Sequence, residues 1–537
     1  MTKIHKHLLG CCLDLTLLYL SIPIFNLISL AAASDDYISS DKFLLNCGSS
    51  ESSSFDGKDW TGDVGSSYLP SDYQTTSSLS NSIASNPSVP KIPYLSARIF
   101  HSQFTYTFPV TPGNKFIRLY FYSAPYYDSS LNPSDACFSV VIAGGFTLLD
   151  NFRPSATAYA LKSNYFSKDF SINIKERKLS ITFIPSLMAS SALAFVNGIE
   201  IFSLPLNLYI PKGNGSIRFI GQKDPSFILD ETAFEILYRV NVQHERDSSV
   251  SNIFGYWLDD SNYIFGPILG MSVYTDIGYI ISTNNFSTYT APKELYNTAR
   301  TMGSNDAINV NNNLTWIFSV DSGFKYFLRL HFCEISSLVT MVNQRVFKVY
   351  INNQIAENNI DLIALTGAPY VAMYIDYITN VLEKGEIRLD LHPNTDSKPK
   401  YADAILNGIE IMKLSNTNKS LAAHIQMINN TKKMNEKART KIIIITGIVV
   451  NDEDQERASL AEWALRCYRN GTIDRMIDHH LRGKIVPQCL TVFVDVAVKC
   501  LAETGSKRPS MSDVLSNLQR ALQLQEIDAV AMDCSSL

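Results

Sequence analysis

No H-E-x-x-H, C-x-x-C or G-x-S-x-G occurs in these 537 residues. Zinc-protease, paired-thiol and serine-hydrolase chemistry therefore has no sequence basis. A G-x-G-x-x-G loop, a V-A-I-K lysine, an H-R-D aspartate and a D-F-G aspartate are all missing. Phosphoryl transfer depends on those groups to position ATP and neutralise its charge, so a kinase reading of the chain as written is excluded. Neither an ATP nor a magnesium site is expected, and no other cofactor. The nine histidines show no metal-ligand spacing. Basic excess is lacking too: 46 Lys and Arg face 51 Asp and Glu, for a net charge of -5. That leaves no electrostatic footprint for nucleic acid. Cysteine is scarce where a disulfide framework would need it. Of nine, only Cys47, Cys137 and Cys333 lie in the long middle region. Cys333, inside "FLRLHFCEI", reads as a buried thiol acting as a small hydrophobe.

What is present points outside the cell. Lys3 and Lys6 precede an apolar run from Leu8 to Leu30, and Ala31-Ala32-Ala33-Ser34 offers a small-residue cleavage site. Residues 1–33 read as a secretory signal peptide, since Asp14 and Pro23 weaken an uncleaved anchor. Five Asn-x-Ser/Thr sites fall between it and Lys441, at Asn214, Asn285, Asn313, Asn418 and Asn429. Behind a signal peptide, some of them are expected to carry glycans.

The middle of the chain repeats itself. "AFVNGIEIFSLP" from Ala194 returns as "AILNGIEIMKLS" from Ala404, which puts Asn197 and Asn407 210 residues apart (407 − 197). An Ala-Arg pair, an alternating strand, a Gly turn and a second strand follow both Tyr94 and Tyr296. Arg118 and Arg329 then stand 211 residues apart (329 − 118). Two echoes at nearly one spacing indicate tandem copies of one domain. With 27 Tyr and 28 Phe the composition favours strands. "FSVVIAGGFTLLDNF" and "RVFKVYINNQIAENNID" read as hairpins with Gly-Gly and Asn-Asn turns. The expected fold is mainly β: two sandwiches over residues 41–205 and 222–413, without a sheet shared between them. The linker lies near "LYIPKGNGSIRFIG". Asp259-Asp260 could suggest a carboxylate pair, but adjacent loop aspartates more often shape a turn.

After Leu414 the chain turns polar and basic, as a stalk over 414–441. The apolar run 442–450 follows; as a helix it covers about 14 Å of a hydrocarbon core of about 30 Å. It is too short to span. Residues 459–525 then read as helical. Leu490, Phe493, Val494, Ala497 and Leu501 fall on one face, and Ser510 caps a second stripe.

These motifs together are specific. "NCGSS" at Asn46, "YLSARIFHSQFTYTFP" at Tyr94, "FVNGIEI" at Phe195, "NLTWIFSVDSGFKYFLRLHFCEI" at Asn313 and "LNGIEI" at Leu406 resemble the plant malectin-like receptor kinases of the FERONIA type. The tail, with Trp463, Arg508 and Pro509, resembles the terminal helices of that family's kinase C-lobe. His479 departs from the family, which has proline there. By this resemblance the membrane span and most of the kinase domain are missing between Val450 and Asn451. What remains implies a kinase-deficient, cell-surface ligand-binding part of a receptor-like kinase, at the plasma membrane or secreted. The resemblance also implies a secreted cysteine-rich signalling peptide and a lipid-anchored co-receptor as partners, with pectic polysaccharide as a further ligand. A carbohydrate-binding protein without a signalling role is the alternative, with Tyr126, Tyr127 and Tyr256 as sugar-stacking candidates. A serine/threonine receptor kinase whose gene model is incomplete is the third.

Overall fold

Alternation builds the outer strands. In Phe104–Pro109, Phe104, Tyr106 and Phe108 are buried while Thr105 and Thr107 are half-exposed. Phe138–Ile142 and Phe347–Ile351 alternate in the same way. The two expected hairpins form on these strands. Gly144 and Gly145 turn one at φ of 95° and 85°, and Asn352 and Asn353 turn the other at 51° and 62°. Both pairs occupy the left-handed region that a tight primed turn requires. By contrast, Phe324–Phe332 is buried along almost its whole length. Such a strand is covered on both faces.

The computed structural model describes residues 39–422 except 83–86, 128–134, 143, 187–192, 207, 210–216, 222–230, 243–250, 253–254, 267–269, 283–288 and 383–384. Beyond these it describes 485–500 and five positions between 514 and 524. The chain divides into two units, residues 1–426 and 427–537. The expected signal peptide and the run 442–450 lie outside the described residues.

In the first unit each half repeats one plan. Lys42–Asn46, Gly113–Tyr122, Tyr165–Ile174 and Gly198–Ser203 form the inner sheet of the first module. Phe234–Asn241, Phe324–Phe332, Met373–Val381 and Gly408–Leu414 form that of the second. Each inner sheet faces an outer one. The first outer sheet runs through Phe104–Pro109, Lys178–Pro185, Phe138–Ile142 and Phe146–Phe152, and the second is built correspondingly. Between them lie two separate cores. One holds Phe100, Tyr106, Phe121, Phe138, Phe183 and Phe195, and the other Trp316, Leu328, Leu330, Phe347, Leu389 and Ile409.

Three expectations are corrected. The inner sheets are not separate: Tyr165–Ile174 pairs with Phe234–Asn241 through Asp169–Ile236, Phe170–Glu235 and Ser171–Phe234, which makes one twelve-stranded sheet. Edge strands are left open only at a cost, and here each module closes one edge of the other. Second, Arg218–Ile220 is a strand on Met373–Val381, so the second module recruits residues before 222. Third, the stalk does not begin at 414. Thr147 pairs with Ser420, and Leu421 is fully buried in the core of the first module.

The shared sheet is sealed from its other face. Phe116 and Phe202 of the first module meet Phe327, Ile378 and Met412 of the second beneath Leu204, Leu208 and Tyr209 of the linker. The second unit contains the helix Pro487–Cys500. There Val496 is the buried residue, while Phe493 is 52% exposed, contrary to the stripe read from sequence.

Candidate functional site

The motifs that revealed the repeat turn out to be structural. Asn197 accepts the Tyr122 amide at 2.7 Å and donates to the carbonyls of Tyr94 and Ser96. Asn407 does the same with the Cys333 amide and the carbonyls of Tyr296 and Thr298. Each buried side chain thus satisfies main-chain groups where two strands part. The glycine that follows is equally constrained. A Cβ on Gly198 would stand 2.6 Å from Pro93, and one on Gly408 2.8 Å from Leu295. The Ala-Arg echo has the same character. Arg98 holds Asp63 with Nε at 2.6 Å and Nη2 at 2.9 Å, and Tyr106 donates to the same carboxylate. In the second module Arg300 holds Asp260, and the Trp316 indole donates to it at 2.9 Å. Asp260 is therefore a buried ion-pair partner and Asp259 a turn cap that accepts from Ser261. They do not act as an acid–base pair.

Charge alternates along one row of the shared sheet. From the second module to the first it reads Asp376, Arg329, Glu410, Arg239, Asp169, Arg118, Glu200 and Lys58. Asp376–Arg329, Arg329–Glu410, Glu410–Arg239, Asp169–Arg118 and Arg118–Glu200 are directly opposed across strands. Arg329 bonds Asp376 at 2.8 Å and Arg118 bonds Asp169 at 2.7 Å. Lys58 closes the row on Glu200 at 2.7 Å. The linker caps it, since Leu208 accepts from Arg329 at 2.7 Å and Tyr209 from Arg239 at 3.3 Å. Burial alone would raise the Glu410 carboxyl. The hydrogen bond from His331 and the charge of Arg239 instead hold it down at about 2. Burial lowers His331 itself below its ordinary value. A bridge between modules runs from Lys168 to Glu235 at 2.8 Å, and Glu235 is also held by Lys413 at 2.7 Å. Burial opposes ionisation of Glu235, yet Lys168 and Lys413 bring it to about 2. Buried charges must be paired, and of these pairs Lys168–Glu235 crosses the module boundary. That bridge and the shared ladder hold the modules together, leaving recognition to the surface.

On the surface, exposed apolar side chains concentrate between 256 and 281. Tyr256, Leu258, Phe265, Met271, Tyr274, Tyr279 and Ile281 are all exposed, Tyr274 at 79%. They share one stretch of the chain; isolated exposed apolar residues are ordinary, and it is a contiguous patch that marks a binding surface. Tyr279 packs at 5.7 Å against Tyr370, with the rings tilted by 34°. The sequence reading had only Tyr256 of this group. The dense run of aromatics within "YWLDDSNYIFGPILGMSVYTDIGY" was the available signal. Of the other sugar candidates, Tyr127 is exposed, but Tyr126 is 3% exposed and bonded to Asn197 and the Tyr122 carbonyl. Tyr126 is a core residue and is withdrawn as a ligand contact. Cavities of about 240 and 220 Å³ occur beside Phe43 and beside Phe146, and neither is lined by Tyr127 or Tyr256. Among the described residues, no three His, Cys, Asp or Glu side chains are placed to hold a metal ion.

Asn418 is exposed on a turn, and Asn313 is half-buried at the start of Leu314–Ser319. Asn214, Asn285, Asn429, Trp463, Arg508 and Pro509 lie outside the described residues. Cys47, Cys137 and Cys333 are buried free thiols. Among the described residues no helix is long and apolar enough to cross a membrane.

Comparison with known proteins agrees with this architecture. Residues 45–414 match the malectin-like domain model. The receptor-like protein kinase FERONIA of Arabidopsis thaliana is 44% identical over 76% of this chain and 46% of its own length. Receptor-like protein kinase ANXUR1, from the same plant, is 35% identical over 70% of this chain and 44% of its own. The chain thus spans under half the length of these relatives. Among solved structures, plant peptide RALF23 in complex with FER and LLG2 aligns at a TM-score of 0.65 and 43% identity, covering 72% of this chain and 99% of that one. The ANXUR1 extracellular domain of Arabidopsis thaliana aligns at 0.64 and 35%, with the same coverages. The part held in common is the tandem β region, and by it the chain belongs to the malectin-like domain family.

Proposed function

We propose that residues 39–422 form the ligand-recognising ectodomain of a receptor-like kinase system at the outer face of the plasma membrane. Its ligand is a secreted cysteine-rich peptide, received together with a lipid-anchored co-receptor. One observation carries this reading: 72% of this chain aligns, at 43% identity, with 99% of a chain from the structure of plant peptide RALF23 in complex with FER and LLG2. Two modules joined by one continuous sheet suit such a role, because a rigid scaffold lowers the ordering cost of binding. The chain as written transfers no phosphate, needs no ATP or magnesium, and signals only through a partner, or acts as a decoy. Pectic carbohydrate stays as a second ligand class on the exposure of Tyr127 and Tyr256. The test is calorimetric titration of the secreted, purified chain with synthetic RALF23, with and without LLG2, beside a phosphate-transfer assay. Saturable peptide binding strengthened by LLG2, without transfer, is the expected result. A chain that binds neither protein, or that phosphorylates above a contaminant control, overturns the reading.

A further inference from the structure

The strand Met271–Tyr274 lies at the edge of a three-stranded sheet, paired on one side only, with Thr298–Thr301. The side it leaves open can be read from hydrogen bonds. The Thr275 amide donates to the Asn297 carbonyl at 2.9 Å, across the same antiparallel ladder. In such a ladder alternate residues face the partner strand. Thr275, Val273 and Met271 therefore turn their main-chain groups inward, and Ser272 and Tyr274 turn theirs outward. Among the described residues, the main chain of Ser272 and of Tyr274 makes no hydrogen bond beyond the strand ladder.

The repeat supplies a control. Ser77–Asn81 is the corresponding edge strand of the first module, pairing with Ser96–Phe100. The Ser82 amide donates to the Leu95 carbonyl at 2.8 Å, as Thr275 does to Asn297, so Asn81 corresponds to Tyr274 and Ser78 to Met271. In the first module the outward Asn81 carbonyl is taken by the Tyr127 amide at 2.9 Å, and Ser82 bridges Tyr126. That edge is occupied by the chain itself and, apart from exposed Leu79, carries polar side chains. The second module's edge is open at the matching position and carries exposed Met271 and Tyr274. It has no lysine, proline or other charge of the kind that normally protects an exposed edge.

We propose that Met271–Tyr274 is a docking edge for an extended peptide, which adds a strand to the second module by bonding the outward N–H and C=O groups of Ser272 and Tyr274. Unsatisfied main-chain groups in a row select extended backbone, and Met271 and Tyr274 add apolar contact on alternate sides. The proposal rests on the peptide-binding reading above and names where and how the peptide chain is held.

The experiment uses the full secreted chain and synthetic RALF23 as probe. Amide hydrogen exchange is followed with and without saturating peptide, and affinity is measured for Ser272→Pro and Tyr274→Ala. Proline at 272 removes an outward donor and leaves the inward ladder intact, so the thermal midpoint should hold. The expected result is slowed exchange at Ser272 and Tyr274 on binding. Ser272→Pro should lose about tenfold in affinity, the worth of about one main-chain hydrogen bond. If RALF23 binds but these amides exchange as before and both variants bind like the parent, the docking edge is refuted and the receptor reading stands. If the parent binds no RALF23, the receptor reading falls and the edge proposal with it. Slow exchange at the edge without peptide, together with a concentration-dependent dimer in sedimentation, would assign the edge to a second copy and overturn the proposal.

Discussion

Leu421 and Thr147, 274 residues apart in sequence, share a backbone hydrogen bond of 2.9 Å, from the Leu421 amide to the Thr147 carbonyl. Thr147 returns the contact by donating to Lys419 at 3.0 Å, and the Lys419 ammonium reaches the Gly144 carbonyl at 3.0 Å over the Phe146 ring. The chain leaves the second module at Leu414, yet its next residues add to the outer sheet of the first. Leu421 is the apolar end of this clasp and is fully buried.

Truncating that side chain should therefore destabilise the first module rather than the second. Leu421→Ala is expected to cost about 2–5 kcal/mol, the range for buried leucine cavities. Denaturant unfolding of the secreted chain measures it, with hydrogen exchange at Thr147 reporting where the loss falls. Unchanged stability would mean that the clasp does not hold in solution.

The two Arg–Asp pairs make a second prediction. Asp260 is fully buried and is held by Arg300 and the Trp316 indole. Asp260→Ala leaves a buried guanidinium without its anion and should cost about 3–5 kcal/mol. Replacing both partners with apolar residues should recover most of that loss, because no lone charge remains. Thermal unfolding of the single and double variants decides it. Equal losses in both would show that packing, and not charge, is at stake.

Much of this was legible because the repeat writes the same constraint twice. Asn197 and Asn407 must bond the same main-chain groups, and Gly198 and Gly408 must pass the same close neighbours, so the motif could not drift in either copy. The shared sheet was not legible. Its joint is a ladder from Asp169 to Ser171 against Phe234 to Ile236, and nothing in either strand names its partner. Nor was Leu421, a single apolar residue inside a polar stretch, whose burial is decided by a hairpin far earlier in the chain. Tyr126 and Tyr127 show the same limit on a smaller scale. Two adjacent tyrosines read alike, and the fold buries one and exposes the other.

Stability should fall with acid in two stages. Burial places His331 below its ordinary value of 6.5, so the unfolded chain takes up that proton first. This contribution is complete above about pH 6.5 and is lost as pH falls below it. Glu410 and Glu235 stand near 2 against an ordinary 4.5. Their contribution is present above about pH 4.5 and is lost as pH falls towards 2. His331→Gln should remove the upper stage and leave the part of the lower one that Glu235 contributes, since Lys168 and Lys413, not His331, hold that carboxyl down. Unfolding midpoints from pH 7 to 3 test this; a single acid transition unaffected by the substitution would contradict it.

Glycan occupancy is the last prediction. Asn418 projects from an exposed turn between Asn416 and Ser420, with its amide held by the Asn416 side chain at 3.0 Å. A glycan there extends into solvent without displacing the clasp. Asn313 is less open: it is half-buried, and the hydroxyl of Thr315 in its sequon is bonded to Asp390 at 2.6 Å. A sugar at Asn418 adds bulk at a surface turn, where added polar mass is tolerated. We therefore expect Asn418 to be modified in the secreted chain, and to a greater extent than Asn313. Peptide-N-glycosidase treatment followed by peptide mass spectrometry reads both, through the conversion of each released asparagine to aspartate. Asn418→Gln should shorten the chain's mobility shift without changing its thermal midpoint. An unmodified Asn418 in protein that has entered the secretory pathway would refute the assignment.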